Sequence, residues 1–170
     1  EKARAAGALI IYDPNFRESH LPDLIRHKPY ILENIGFADI IRGSHEDFKL
    51  VFNTHSPDDA YDEIPEKNKK VLIYTAGSNF VSFRSSRLNF SMQVPEIDAV
   101  STIGAGDSFN AGIIYGIYRL GIKREDLVGL KQAEWQAILD SGITLGSMVC
   151  ESYDNYIPEA FARKLRNLHA

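Results

Sequence analysis

The residue types and spacing best suited to chemistry lie in one short segment, Ser101–Asp107, which reads STIGAGD. Its two glycines let consecutive backbone N–H groups turn toward one point, and the spacing of apolar residues after them predicts a helix. The first N–H groups of a helix lack internal partners and lie at the positive end of its dipole, so they bind anions such as phosphate. At the mouth of such a site, Asp107 could accept a proton from an incoming hydroxyl, as the base of a phosphoryl transfer does.

Other interpretations of this segment stay open on these residues alone. Asp107 can simply be a favourable carboxylate in the first turn of a helix, with the glycines forming a tight turn. The segment is not a Walker A phosphate loop, because no lysine follows its glycines. It is also not a dinucleotide fingerprint, because Phe109 stands where that pattern has its third glycine.

The longer run Thr102–Gly112, TIGAGDSFNAG, resembles the second signature of the PfkB, or ribokinase-like, family of carbohydrate kinases. This resemblance implies that Asp107 deprotonates the acceptor hydroxyl. The backbone of Gly104, Ala105 and Gly106 would form the anion hole for the transferred phosphoryl group. The implied fold is α/β and Rossmann-like, with three α/β/α layers around a mostly parallel central sheet.

Two more segments resemble the same family, in the same order along the chain. Asp13–Arg17, DPNFR, is similar to a segment that fructokinases and ketodeoxygluconate kinases place at the end of a central strand. The resemblance implies that Asn15 and Arg17 lie near the phosphates or the acceptor. Thr75-Ala76-Gly77 is similar to a strand end that contacts ATP in the family. The residues expected to bind ATP are Thr75, Gly77, Thr102, Gly104 and Gly106.

A fourth segment, Ala38–Asp47, lies where the family has its magnesium-associated N-x-x-E motif, but here the motif reads Ser44-x-x-Asp47. Its alternative interpretation is a helix capping box, and both roles can coexist at a helix start. Asp47 is shorter than glutamate and would reach Mg²⁺ only through water, which Mg²⁺ tolerates. Glu46 is the second candidate. Ser101 replaces an aspartate that helps the family to hold a monovalent cation, so a requirement for that cation is in doubt.

Three short apolar runs predict the strands that would carry these segments: Ala8–Tyr12, Ala38–Ile41 and Val71–Tyr74. Such runs are typical of strands buried on both faces of a parallel sheet, with ligand loops at their carboxyl ends. A helix is predicted from Pro22 toward Asn34, kinked or interrupted at Pro29. Further helices are expected to begin at Ser44 and Ser56.

The later part of the chain predicts a hairpin and then helices. Alternating residues at Phe80–Arg84 and Leu88–Val94 indicate a half-exposed β-hairpin. A helix should run from Gly104 and end at Gly121. Lys131–Val149 is expected to form one long helix, or two that are broken near Ser141-Gly142, and a final helix should begin at Pro158.

Composition excludes several classes of function. The 170 residues are 44% hydrophobic, and their net charge of -4 comes from mixed acidic and basic residues, so a nucleic-acid backbone or an anionic membrane is disfavoured as partner. Cys150 is the only cysteine, which favours a reducing compartment and predicts a cytoplasmic protein. No apolar run approaches the roughly 20 residues that span a bilayer.

The function implied by the resemblance is ATP-dependent phosphorylation of a sugar hydroxyl, with ATP and Mg²⁺ as cofactors. Fructose is the favoured acceptor because DPNFR followed by ADIIRGS looks most like bacterial fructokinases. The alternatives are a 2-keto-3-deoxygluconate kinase or another PfkB sugar or nucleoside kinase. A catalytically impaired PfkB-like binding protein is the non-enzyme alternative, and the complete G-A-G-D run argues against it.

Glu1–Gly7 reads as the last turn of a helix, so we expect the chain to lack an N-terminal portion. On the family pattern, residues 1–170 would form the C-terminal, nucleotide-binding and catalytic part of a PfkB kinase domain. The substrate and lid part would then be absent. Many relatives dimerise through lid strands, so a homodimer is expected only of the full-length protein.

Overall fold

A computed structural model describes residues 1–67 and 70–167. The chain forms two compact units, Glu1–Val94 and Pro95–Ala170. The first unit contains α1 (Lys2–Ala5), β1 (Ile11–Tyr12), a 3₁₀ turn (Glu18–Asp23), α2 (Leu24–Phe37), β2 (Ile40–Ser44), α3 (His45–Phe52), α4 (Pro57–Asp62), β3 (Val71–Thr75), β4 (Phe80–Arg84) and β5 (Asn89–Gln93). The second contains α5 (Ala105–Arg119), a 3₁₀ turn (Arg124–Asp126), α6 (Gln132–Cys150) and α7 (Glu159–Asn167). None of the helices in the described residues is long and apolar enough to span a membrane.

The sheet of the first unit has the strand order β1-β2-β3-β4-β5. The first three strands are parallel, with Ile40 paired to Ile11 on one side and to Val71 on the other. β4 and β5 add the predicted antiparallel hairpin. Two predictions of exposure are wrong. β1 is only half-buried, as the outermost strand of the described sheet. The half-exposed pattern predicted for the hairpin is found in β5, which alternates between exposed and half-buried residues, but not in β4, which is almost wholly buried.

The core of the first unit includes a stack of aromatic rings beside the sheet. Phe48 of α3 stacks on Tyr74 of β3 with ring centroids 5.6 Å apart, and Tyr74 stacks on Phe80. Gly43 makes room for this stack, since a Cβ atom there would lie 2.7 Å from Cε2 of Phe48. The apolar face of α3 is thereby fixed on the parallel strands, which sets where its N-terminal turn lies.

Of the two alternatives predicted at Pro29, a kink or an interruption, the interruption is wrong, because α2 continues through Pro29. Pro29 removes the hydrogen bond to the carbonyl of Ile25, but that turn is open to water, which can satisfy the carbonyl. The C-terminal end of α2 is capped by Lys70, a residue distant in sequence. The ammonium group of Lys70 donates hydrogen bonds to the carbonyls of Gly36 at 2.7 Å and Ala38 at 2.6 Å, as favoured at a negative helix end.

The second unit is built on the packing of α5 against α6. A Cβ atom at Gly112 would lie 2.3 Å from the carbonyl oxygen of Ser141, so the two backbones are in direct contact there. α6 is one continuous helix, and Gly142 causes no break, since it lies against Ile113 and Phe109 in the same interface. The predicted end of α5 is confirmed, with Gly121 at φ +63° just after the helix.

Candidate active site

The GAGD segment forms the turn that starts α5. Gly104 is the N-cap residue and has φ +80°, a conformation that side chains rarely adopt. Its space is also limited, since a Cβ atom would lie 3.2 Å from the carbonyl oxygen of Asn155. The Ser108 N–H donates to the Gly104 carbonyl at 2.9 Å and closes the first helical turn. Both the positive φ and the close approach of the Asn155 carbonyl therefore favour glycine at this position.

The first turn of α5 exposes backbone donors at the positive end of a 15-residue helix. The Ala105 N–H donates to the carbonyl of Thr102 at 3.2 Å, so it stabilises the turn. The N–H groups of Gly106 and Asp107 follow it and have no acceptor four residues earlier within the helix. The Gly106 and Asp107 amides are thus donors without an acceptor inside the helix, and the binding of an anion by the Gly104–Asp107 backbone stays a prediction.

Asp107 is the third residue of α5, beside these two donors. Its side chain is exposed, and it takes part in no capping box, because Gly104 has no side chain to pair with it. The next residue, Ser108, is buried instead. The Asp107 carboxylate therefore remains available to solvent and ligand at an anion-binding helix start, the arrangement that a general base for phosphoryl transfer requires.

The segment before the turn is anchored to the end of α6. The carbonyl of Cys150, the last residue of α6, accepts hydrogen bonds from the N–H groups of Val100 at 2.7 Å and Ser101 at 3.2 Å. The Ser101 hydroxyl accepts a hydrogen bond from the Ile103 N–H at 3.3 Å. Burial raises the pKa of the Cys150 thiol, with a smaller contribution from Glu151. This anchor was not predicted, since a backbone carbonyl leaves no signal in sequence.

In the first unit, polar side chains meet at the carboxyl ends of the parallel strands. Arg42 of β2 donates from Nη1 to Oδ2 of Asp13 at 2.8 Å and from Nη2 to Oγ1 of Thr75 at 3.0 Å. Both Arg42 and Thr75 are buried. Sequence reasoning missed Arg42, although a charged residue directly after the apolar pair Ile40-Ile41 was a signal that a buried partner exists.

The Asp13–Arg17 loop follows β1 and presents two side chains to solvent. Asn15 has φ +43°, and its N–H donates to Oδ1 of Asp13 at 3.0 Å, forming a local turn. Asn15 and Arg17 are exposed, whereas Phe16 between them is buried. The two residues predicted to lie near phosphates or acceptor are therefore the accessible ones of this loop.

The predicted capping box at the start of α3 is confirmed. Asp47 accepts hydrogen bonds at Oδ2 from the Ser44 N–H at 2.7 Å and the Ser44 hydroxyl at 2.6 Å. Its Oδ1 accepts one from the Phe16 N–H at 2.6 Å. Glu46 is exposed and lies outside this network. Within residues 1–67 and 70–167, no three His, Cys, Asp or Glu side chains are grouped closely enough to hold a metal ion.

The third predicted strand end is a tight turn between β3 and β4. The Asn79 N–H donates to the Ala76 carbonyl at 3.0 Å, and Gly77 has φ +57° within this turn. Gly77 is exposed, and nothing lies within 4 Å of where its Cβ would be. Its backbone is thus open to a ligand, whereas the Thr75 side chain is already bonded to Arg42.

Residues 1–160 match the model of the pfkB family of carbohydrate kinases. The chain belongs to this family. The resemblance carried by the GAGD, DPNFR and TAG segments is thereby confirmed at the level of the family. The roles of the individual site residues stay predictions.

Among curated relatives, the chain is 34% identical over 115 residues to probable fructokinase-2 of Arabidopsis thaliana. The aligned region covers 67% of this chain and 35% of that protein. It is 27% identical over 116 residues to the fructokinase of Vibrio alginolyticus, covering 67% of this chain and 37% of that protein. The chain therefore spans about a third of the length of these two relatives.

A solved structure shows the same fold. Aminoimidazole riboside kinase from Salmonella enterica, complexed with aminoimidazole riboside and an ATP analog, superposes with a TM-score of 0.80 at 18% identity. The match covers 99% of this chain and 54% of that one. The predicted ribokinase-like α/β fold is confirmed, and the chain corresponds in length to about half of a solved kinase.

Proposed function

We propose that this chain carries the nucleotide-binding and catalytic part of an ATP-dependent sugar kinase. The observation that supports this most directly is the start of α5, where the amides of Gly106 and Asp107 have no acceptor inside the helix and lie beside an exposed carboxylate. The family match and the relatives named fructokinases support the same reaction.

In the proposed reaction, Asp107 accepts the proton of the acceptor hydroxyl as its oxygen bonds to the γ-phosphorus of ATP. The bond from that phosphorus to the β,γ-bridging oxygen breaks, and ADP leaves with the electron pair. The Gly106 and Asp107 amides stabilise negative charge on the transferred group, and Gly104 holds the turn that orients them. Asn15, Arg17 and the open backbone at Gly77 keep their predicted roles toward phosphates, acceptor and nucleotide.

Mg²⁺ would enter with ATP and neutralise charge on its phosphates. The side chains predicted to hold it do not fit that role well. Asp47 uses both carboxylate oxygens in hydrogen bonds, and Glu46 is a single exposed carboxylate. We therefore propose that the nucleotide phosphates and water supply most ligands of the ion.

Fructose remains the favoured acceptor, because both curated relatives described above are named fructokinases. A nucleoside is the second candidate, since the solved kinase with the same fold is named for aminoimidazole riboside. A coupled ADP-release assay on the full-length protein, with fructose, 2-keto-3-deoxygluconate and nucleosides as acceptors, separates these candidates. No ADP release above background with any acceptor would contradict the proposed activity.

Replacing Asp107 with asparagine tests the catalytic assignment. Asp107→Asn keeps the size of the side chain but cannot take the proton, so turnover should fall by about 100- to 10,000-fold. ATP affinity, measured by calorimetry, should change little, because the helix amides remain. Asp59→Asn is the matched control, since Asp59 occupies the same third position in α4 and is also exposed. Wild-type turnover in Asp107→Asn would contradict the assignment.

A further inference from the structure

The carboxylate of Asp47 makes one contact that a helix cap does not need. Its Oδ1 accepts a hydrogen bond of 2.6 Å from the backbone N–H of Phe16, which lies 31 residues earlier in the chain. Phe16 is in the irregular loop after β1, whereas Asp47 is in the first turn of α3. The bond therefore joins the loop to the junction between β2 and α3.

The hydrogen-bonding capacity of Asp47 is largely used. Three donors bond to its two oxygens: the Phe16 N–H, the Ser44 N–H and the Ser44 hydroxyl. The residue is only 6% exposed. A water-bridged cation would need an accessible carboxylate oxygen, and here each oxygen faces a protein donor at 2.7 Å or less. The side chain is too enclosed for that role.

The contact acts at the centre of the candidate ligand loop. Phe16 lies between Asn15 and Arg17, the two exposed residues of the loop. A hydrogen bond to a charged acceptor is about twice as strong as a neutral one. Fixing the Phe16 N–H therefore limits the positions that both neighbouring side chains can adopt.

We propose that Asp47 is a positioning residue, which anchors the Asp13–Arg17 loop through the Phe16 N–H, and that it is not a magnesium ligand. The kinetic part of this proposal rests on the proposed kinase function, because that function gives Asn15 and Arg17 their ligands. The structural part, the anchor itself, is independent of that function.

The kinetic test compares Asp47→Asn with Asp59→Asn in the full-length protein. Asp47→Asn keeps the side-chain size but leaves one acceptor oxygen for donors on two sides, so either the Phe16 N–H or the Ser44 N–H faces an NH₂ group. In either orientation the Phe16 N–H loses its charged acceptor, which weakens the anchor. We expect kcat/KM for the sugar to fall by about 10- to 100-fold, as misplaced binding groups typically cause. The Mg²⁺ concentration that gives half-maximal rate should stay unchanged. Asp59→Asn should resemble wild type, because Asp59 is an exposed residue in the first turn of a different helix.

Two kinetic results would overturn the proposal. In the first, the Mg²⁺ concentration that gives half-maximal rate rises by about tenfold or more in Asp47→Asn, while the KM for sugar is unchanged. Such a loss of Mg²⁺ affinity is expected when a metal ligand is removed. The other is wild-type kinetics in both respects, which would show that the anchor does not position the loop.

Amide hydrogen exchange tests the anchor without relying on activity. In the unmodified chain, the Phe16 N–H should exchange more slowly than in Asp47→Asn by about 10- to 100-fold, the factor expected for one hydrogen bond to a charged group. Asp59→Asn should leave this rate unchanged. If Asp47→Asn does not fold, the exchange rate of the Phe16 N–H in the unmodified chain is a sufficient test. An unprotected Phe16 N–H would refute the anchor. A protein without kinase activity but with this protection would refute the proposed function and leave the anchor standing.

Discussion

Aspartate occupies the third position of three helices, at Asp47, Asp59 and Asp107, and each side chain has different surroundings. Asp47 is buried and bonded to its own cap and to Phe16. Asp59 is exposed, with its N–H bonded to the Ser56 hydroxyl. Asp107 follows a glycine N-cap and takes part in no capping box. The helix dipole favours all three carboxylates, so their different roles arise from the neighbouring chain segments.

Arg42 is the residue whose removal should cost most stability at the strand ends. Arg42→Met would remove the guanidinium that pairs with the Asp13 carboxylate, which is only 17% exposed, and would remove a donor to Thr75. Breaking a buried pair in this way typically costs about 3 to 5 kcal/mol. The free energy of unfolding, measured in urea, should fall by an amount of this order.

Arg163→Met is the control for this prediction. Arg163 pairs with Glu159 one helical turn away, but both side chains are more than half exposed. Such exposed pairs contribute about 0.3 to 0.5 kcal/mol. Equal losses of stability in the two variants would show that the Arg42 pair is as weak as a surface pair.

The candidate catalytic turn depends on the packing of two helices. α5 begins with the GAGD turn, and the last carbonyl of α6 accepts two hydrogen bonds from the residues before that turn. Glycines at 112, 116, 142 and 146 allow the two helices to approach closely along the interface. The orientation of the GAGD turn is thus set by the same contact that stabilises the helix pair.

Gly112→Ala tests this contact at its tightest point. Alanine is favoured over glycine in a helix by about 1 kcal/mol, yet its methyl group would lie 2.3 Å from the Ser141 carbonyl oxygen. We expect the helices to be forced apart, with a net loss of about 1 to 3 kcal/mol in thermal or urea unfolding, as overpacked interfaces show.

The matched substitution is Gly36→Ala in α2. A Cβ atom at Gly36 meets nothing within 4 Å, so alanine should be neutral or stabilising by up to about 1 kcal/mol. A Gly112→Ala variant as stable as Gly36→Ala would mean that the two helices can separate without cost.

The sequence predicted those elements whose signals are local. The apolar runs at Ala38–Ile41 and Val71–Tyr74 gave β2 and β3, and Gly121 marked the end of α5 correctly. Solvent exposure and contacts between helices, which local patterns do not show, decided others. α2 continues through Pro29 because water can reach the affected carbonyl, and Gly142 serves packing where a break in α6 was one of two predictions.

The candidate site follows the same division. The glycine turn at the start of α5 could be predicted because its glycines and aspartate lie close together in sequence, whereas its binding of an anion stays a prediction. The hydrogen bonds of Arg42 and the contact between Asp47 and Phe16 could not be predicted, because the bonded residues are 29 to 33 positions apart in sequence. Such pairs are fixed by the register of the strands, which local patterns do not specify.

At the scale of the whole molecule, ionisation sets a limit on stability at alkaline pH. Burial raises the pKa of the tyrosines Tyr12, Tyr61 and Tyr74 in the first unit and of Cys150 in the second. In each case the folded state favours the neutral form. The net charge is already -4 at neutral pH, so further deprotonation also adds repulsion between negative charges.

The stabilising effect of a raised acid pKa is complete below the ordinary pKa and is lost as the pH rises through the folded value. The ordinary values are 9.0 for cysteine and 10.0 for tyrosine, so the Tm should be steady near neutral pH and then fall, first through Cys150. Thermal unfolding of the chain at a series of pH values from 7 upward measures this. Cys150→Ala, which has no titrating thiol, should show a shallower fall in the interval just above pH 9.0 than the wild type, whatever its Tm at neutral pH. Equal slopes in that interval would show that ionisation of the buried thiol does not contribute, and that the tyrosines and the net charge alone set the alkaline limit.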